Sequence, residues 1–211
     1  MAKAGKRMKL VAGLVAGIVG TVLVAIAVWL TVVYTGAYNV AASDRHADAV
    51  RWTFDTTMHR SVASRAGGTE LPEHFSSDQI AAGAVHYADT CAHCHGAPGG
   101  EPAAWSRGMR PEPPHLAETA ADWTPEEIHW IASNGIKMTG MPAFGRDHTA
   151  EQMVAITAFV TALPGLTAAD YAELTASARH GAGHSHGAAG TGPEDEPARR
   201  SGDPDRERPQ G

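Results

Sequence analysis

Cys91 and Cys94 are separated by two residues, and His95 follows the second directly, in the run Cys91-Ala92-His93-Cys94-His95. These are the only 2 cysteines among 211 residues. Four chemistries use such a set. A disulfide between the two would close a very short loop and contribute little through chain entropy. A redox dithiol of the thioredoxin kind sits beside a βαβ pattern, and none surrounds this one. A zinc site needs more soft ligands close by, and His93 and His95 are available. Attachment of a c-type haem uses all three side chains. The thiols add across two vinyl groups to form thioethers, and the following histidine offers an imidazole nitrogen to the iron. Only this reading accounts for the adjacent histidine.

One haem c, attached covalently through Cys91 and Cys94 and ligated by His95, has a second axial position to fill. A methionine thioether there is soft, stabilises Fe(II) and raises the potential. Met141 stands 46 residues after His95 in the Gly- and Pro-bounded loop Gly140-Met141-Pro142. Met138 lies in the same loop, and Met109, His115, His129 and His148 are further candidates. A loop methionine is otherwise often a gap-filler in a core. Arg107, Arg110 and Lys137 are available to pair with haem propionates, although surface solvation suffices to explain each.

These residues need helices to position them. Ser76-x-x-Gln79 has the form of a capping box, and Ile80, Ala84 and Tyr87 follow at helical spacing, running into Cys91. Pro111, Pro113 and Pro114 stiffen a long loop after the motif by fixing φ. Thr124-Pro125-Glu126-Glu127 starts a middle helix, which Asn134-Gly135 ends. Thr149-x-x-Gln152 opens a last helix with Met153, Ile156, Phe159, Val160 and Leu163 on its apolar face, and Pro164-Gly165 stops it. No convincing strand appears, so the fold class is all-α.

Upstream, Lys3, Lys6, Arg7 and Lys9 mark residues 1–9 as a basic segment. Residues 10–34 then carry no charge. Those 25 residues at about 1.5 Å each are long enough to cross a hydrocarbon core of about 30 Å. The basic flank predicts a cytoplasmic N-terminus and an exported remainder. A cleaved secretory signal ending near Val40-Ala41-Ala42 is the competing reading, for which the apolar run is too long. Gly13 and Gly17 form a GxxxG pair, a pattern that more often reflects tolerance than dimerisation. Residues 35–75 read as a linker with a short helix. Ser43 and Asp44 are its cap candidates, Val50, Phe54 and Met58 its apolar stripe, and Gly67-Gly68 its end.

Residues 179–211 are rich in Gly, Pro, His and mixed charge and are expected to be disordered, since such a segment buries too little to offset its ordering entropy. His184-Ser185-His186 within it has the composition of a weak metal binder. A formal net charge of -6 argues against a nucleic-acid partner.

Residues 76–164 resemble a class I c-type cytochrome domain. The matching features are a helix running into Cys91-x-x-Cys94-His95, the loop Pro114-His115-Leu116, a middle helix, Gly140-Met141-Pro142-Ala143-Phe144 and a closing helix with Phe159. The resemblance implies Met141 as sixth ligand, the Pro114 carbonyl as acceptor from His95, and a crossing of Gly83 against Phe159. It implies a small helical domain, residues 76–165, around one haem, here preceded by the single transmembrane helix read from residues 10–34. Residues 34–165 also resemble membrane-anchored monohaem bacterial cytochromes, through Tyr38-Asn39-Val40-Ala41-Ala42, Trp52 and Ser61-Val62.

The function so implied is one-electron transfer, not catalysis, by a domain held at the periplasmic face of a bacterial cytoplasmic membrane. A dehydrogenase or quinol-oxidising complex would donate, and an oxidase or reductase would accept. A haem sensor or small haem enzyme with a labile sixth position is the alternative. A metal handler acting through the His-rich tail is a third reading, and would bind metal without either cysteine.

Overall fold

The structure, a computed structural model, describes residues 2–184. Helix α1 (Ala2–Thr35) contains the apolar stretch Gly5–Thr35, 31 residues that include an 18-residue window of mean hydropathy 2.6, no part of that window being buried in the protein. It is long and apolar enough to cross a membrane. It begins before the uncharged run and includes Lys6, Arg7 and Lys9, whose long stems let charged heads reach water from a helix end.

Helix α2 (Asp48–Ala66) starts later than Ser43 and Asp44 suggested. Those residues are used in a turn: the Asn39 side chain donates to the Asp44 carboxylate and accepts from the Ala41 N–H at 2.9 Å, and the Asp44 N–H bonds the Ala41 carbonyl. The packed face of α2 is also shifted. Val62 and Ala66 are buried, whereas Phe54 of the expected stripe is 48% exposed.

Three capping boxes form where the sequence places them, at Ser76/Gln79, Thr124/Glu127 and Thr149/Gln152. Each satisfies orphan N–H donors of a helix start reciprocally. They open α3 (Ser77–His86), α6 (Pro125–Asn134) and α7 (Ala150–Ala162). A π-helical turn, Tyr87–Cys91, continues α3 into α4 (Ala92–His95), so the chain reaches the motif without leaving a helix. A single-turn α5 (Leu116–Thr119) interrupts the proline-rich loop. No strand occurs among the described residues, and Ala97 and Gly100 form an isolated bridge.

Helices α3 and α7 cross at Gly83. A Cβ there would lie 1.9 Å from the Ala155 carbonyl oxygen and 2.8 Å from Phe159 Cβ, so only glycine permits the approach. Beside the crossing, the Tyr87 and Phe159 rings pack with centroids 5.0 Å apart, both fully buried. Burying a side chain such as Phe159 contributes about 2–3 kcal/mol.

One helix was not expected. Helix α8 (Ala168–His184) follows the Leu163–Gly165 turn and packs on α3, with Tyr171 and Leu174 against the core. Its start uses Thr167-x-x-Asp170: the Asp170 carboxylate accepts from the Thr167 N–H at 2.9 Å, and the Asp170 N–H donates to the Thr167 hydroxyl. The helix runs to His184, into the segment expected to be disordered. Residues 185–211, including Ser185-His186, lie outside the described residues.

Candidate cofactor site

Helices α3 and α4 deliver Cys91, Cys94 and His95 to one wall of a cavity of about 340 Å³. The two thiols are not joined by a disulfide. Burial, with Cys94 adding to it, pushes the Cys91 thiol up to about 12. A thiol held protonated is a poor redox nucleophile, which weighs against the dithiol reading. Among the described residues no group of three or more His, Cys, Asp or Glu side chains is placed to hold a metal ion, which weighs against the zinc reading. His93 points away from these chemistries as well, being exposed.

His95 is oriented by its backbone partner. Its Nδ1 lies 2.8 Å from the Pro114 carbonyl oxygen. A carbonyl only accepts, so Nδ1 carries the proton and Nε2 keeps its lone pair. Burial pushes the His95 imidazole below its usual range, and this outweighs the upward effect of the Pro114 bond. A neutral imidazole with a free Nε2, aimed by a backbone carbonyl, is the form that ligates a metal. The motif is fixed from behind as well: the buried Tyr87 hydroxyl donates to the Gly96 carbonyl at 2.7 Å.

The facing loop joins α6 to α7. The Ile136 N–H bonds the Met141 carbonyl at 3.2 Å. The Thr139 hydroxyl donates to the Ile136 carbonyl at 2.7 Å and accepts from the Met141 N–H at 3.1 Å. Gly135, at φ 64°, backs this turn. A Cβ there would lie 2.6 Å from the Pro142 carbonyl carbon and 2.7 Å from the Met141 oxygen.

The candidates for the second axial position divide into those that line the cavity and those that do not. Met141 lines the cavity. Met138 does not line it and is 79% exposed. His129 bonds Thr157 at 3.1 Å, and His148 bonds the Phe144 carbonyl at 3.2 Å. His115 packs against Gly96, with its Nδ1 buried and unpartnered. None of these three histidines reaches the cavity. Met109 does line it, beside Met141: a Cβ on Gly140 would fall 1.8 Å from the Met109 terminal methyl. Arg107 is exposed and pairs with Glu101 at 3.9 Å, and Lys137 is exposed. Arg110 donates to the Arg107 and Met109 carbonyls, while its buried Nε has no partner.

The remaining wall is apolar, with Leu116, Trp123, Ile128, Ile131, Ile156 and Val160 prominent. Of the three tryptophans near the motif and middle helix, Trp123 is at the cavity, whereas Trp105 is 62% exposed. Two cavity residues, Asp55 and Met58, come from α2 and escaped sequence reasoning. Their one signal was Met58 in a helical stripe, which does not say what the helix packs on. The volume suits a sizeable apolar ligand. Paired thiols, an oriented imidazole, thioethers and an apolar wall fit a haem.

Fold and site together define a class I c-type cytochrome domain, which implies haem c and electron transfer. Residues 78–160 match the family model described as cytochrome c oxidase, cbb3-type, subunit III. No curated protein and no solved structure matches the chain.

Proposed function

We propose that the chain is a membrane-anchored electron carrier with one covalent haem c, held by thioethers to Cys91 and Cys94 and ligated by His95 and Met141. The observation behind this is the convergence of those four side chains on one apolar cavity, with His95 Nδ1 occupied by the Pro114 carbonyl. Haem bound there supplies a one-electron Fe(III)/Fe(II) couple. The protein's part is to orient the imidazole, present the Met141 sulfur and exclude water. Filling both axial positions leaves no site for substrate, which favours a carrier over a sensor or enzyme.

Residues 1–9 are basic, and from Ala2 on they form the start of α1, ahead of its uncharged run, residues 10–34. By the positive-inside rule this sets the N-terminus in the cytoplasm and the haem domain on the periplasmic face. Tethering raises the domain's effective concentration toward membrane-bound partners. Those partners are a dehydrogenase or quinol-oxidising complex as donor, and an oxidase or reductase as acceptor.

Optical and EPR spectroscopy of the purified holoprotein tests the reading. A covalent low-spin haem with a methionine–ferric charge-transfer band is expected. High-spin haem that takes up CO in the native state would sink the carrier and favour the labile-site alternative. Met141→Ala should abolish the band and lower the potential, while Met109→Leu should leave both intact. The reverse pattern would move the ligand to Met109.

A further inference from the structure

Helix α2 lies outside the matched residues 78–160, yet it forms part of the cavity. It docks on α6 through a single face. Val62 is 1% and Ala66 2% exposed, and the His59 ring lies flat on Trp123, with centroids 4.5 Å apart and planes at 2°. Trp123 itself lines the cavity. Asp55, Met58, Val62 and Ala66 follow one another at three- and four-residue steps, and His59 stands four after Asp55 and three before Val62, the spacing of one helix face. The docked half of the helix thus carries Met58 and Asp55 to the cavity. At the other end, Trp52 is 69% exposed.

We propose that α2 is an outer wall of the haem site, and that Met58 is a positioning residue whose side chain keeps water off the bound haem and holds its potential up. This rests on the haem reading above. The ferric state carries one more positive charge than the ferrous state. Water stabilises that charge and an apolar cover disfavours it, so removing the cover lowers the potential. Met58 acts here by bulk rather than as a ligand. The Asp55 carboxylate acts in the opposite sense, favouring the ferric state, but it is exposed and so screened. The anchor-proximal helix therefore helps to set the redox properties of the domain it tethers.

The test compares full-length holoprotein in detergent with its Met58→Ala, Met58→Leu and Val62→Asp variants by redox titration. Met58→Ala should raise the ferric-to-ferrous ratio at a fixed ambient potential by about threefold, roughly 28 mV for a one-electron couple. Met58→Leu should restore the wild-type ratio, because it refills the space without sulfur. Val62→Asp places a charge in the buried contact with α6 and should shift the ratio in the same direction, and further. The low-spin spectrum should persist in all four. If Val62→Asp fails to fold, the Met58 pair decides alone. A Met58→Ala protein that titrates like wild type overturns the proposal, as does a Met58→Leu protein as displaced as Met58→Ala. Either result with covalent low-spin haem present defeats only the role of α2. Absence of covalent haem in the wild type defeats the haem reading and this proposal with it.

Discussion

On one side of the cavity, His95 ends a helical run that starts at Ser77 and is clamped by buried contacts: Gly83 under α7, Tyr87 on Phe159, the Tyr87 hydroxyl on Gly96. On the other side, Met141 sits in a loop held by one backbone bond, one threonine hydroxyl and a glycine behind it. The first arrangement belongs to the core, so loosening it costs global stability. The second is local, so it opens without unfolding the domain. Damage on the His95 side should therefore appear as lost holoprotein. Damage on the Met141 side should appear as a changed spectrum in a folded protein.

The largest effect is expected from Gly83→Ala. The new methyl would meet the Ala155 carbonyl at 1.9 Å, and helix backbone yields little. Overpacking of this kind costs about 1–3 kcal/mol or more, a large share of a domain's marginal stability. Holoprotein yield and Tm should drop sharply, while the surviving protein keeps a normal spectrum. A fully folded variant with an altered methionine–ferric band would break the division between the two sides.

Gly135→Ala probes the other side. A left-handed φ costs a non-glycine residue about 1–2 kcal/mol, and the methyl would also push on Pro142 and Met141. The expected result is a weakened charge-transfer band at temperatures where far-UV circular dichroism still reports folded helix. Coincident loss of both signals would show that the loop and core unfold together.

Tyr87→Phe returns to the His95 side with a smaller change. It keeps the ring and leaves the Gly96 carbonyl without its partner, at a cost of about 1.5 kcal/mol. A lower Tm with an unchanged potential is expected. An altered potential would mean that the hydroxyl tunes the site as well as the fold.

The same division explains what was legible in the sequence. Capping boxes are local, four-residue signals, and all three marked ones formed. The motif was legible because it constrains its own neighbourhood, whereas the crossing of Gly83 against Phe159, a contact between distant stretches of chain, was legible only through the resemblance. The sixth ligand was harder. Sulfur in a loop does not announce its direction, so residues alone left Met138 open until the resemblance favoured Met141. The structure then put Met138 in solvent at φ 62°. Long-range packing was least legible. Nothing local told that α2 would lay Met58 on the cavity. Nor did it reveal α8, although Thr167-x-x-Asp170 was a start signal left unread: an aspartate replaces the usual glutamate, and alanines fill the helix.

Thr139→Val offers the finest cut. Valine keeps the shape of the side chain but removes both of its hydrogen bonds in the Met141 turn. Those bonds are worth about 1 kcal/mol net, because the freed groups of a partly exposed loop recover water. Tm should hardly move. If an added ligand such as imidazole must open this loop to bind, its apparent affinity for the ferric protein should rise by about fivefold, the equivalent of that energy. Thr139→Ser retains the hydroxyl and should behave as wild type. Imidazole affinity equal in all three proteins would assign the turn's rigidity to Gly135 and the Ile136–Met141 bond alone. The Met141 side would then be held by backbone, as firmly as the side it is contrasted with.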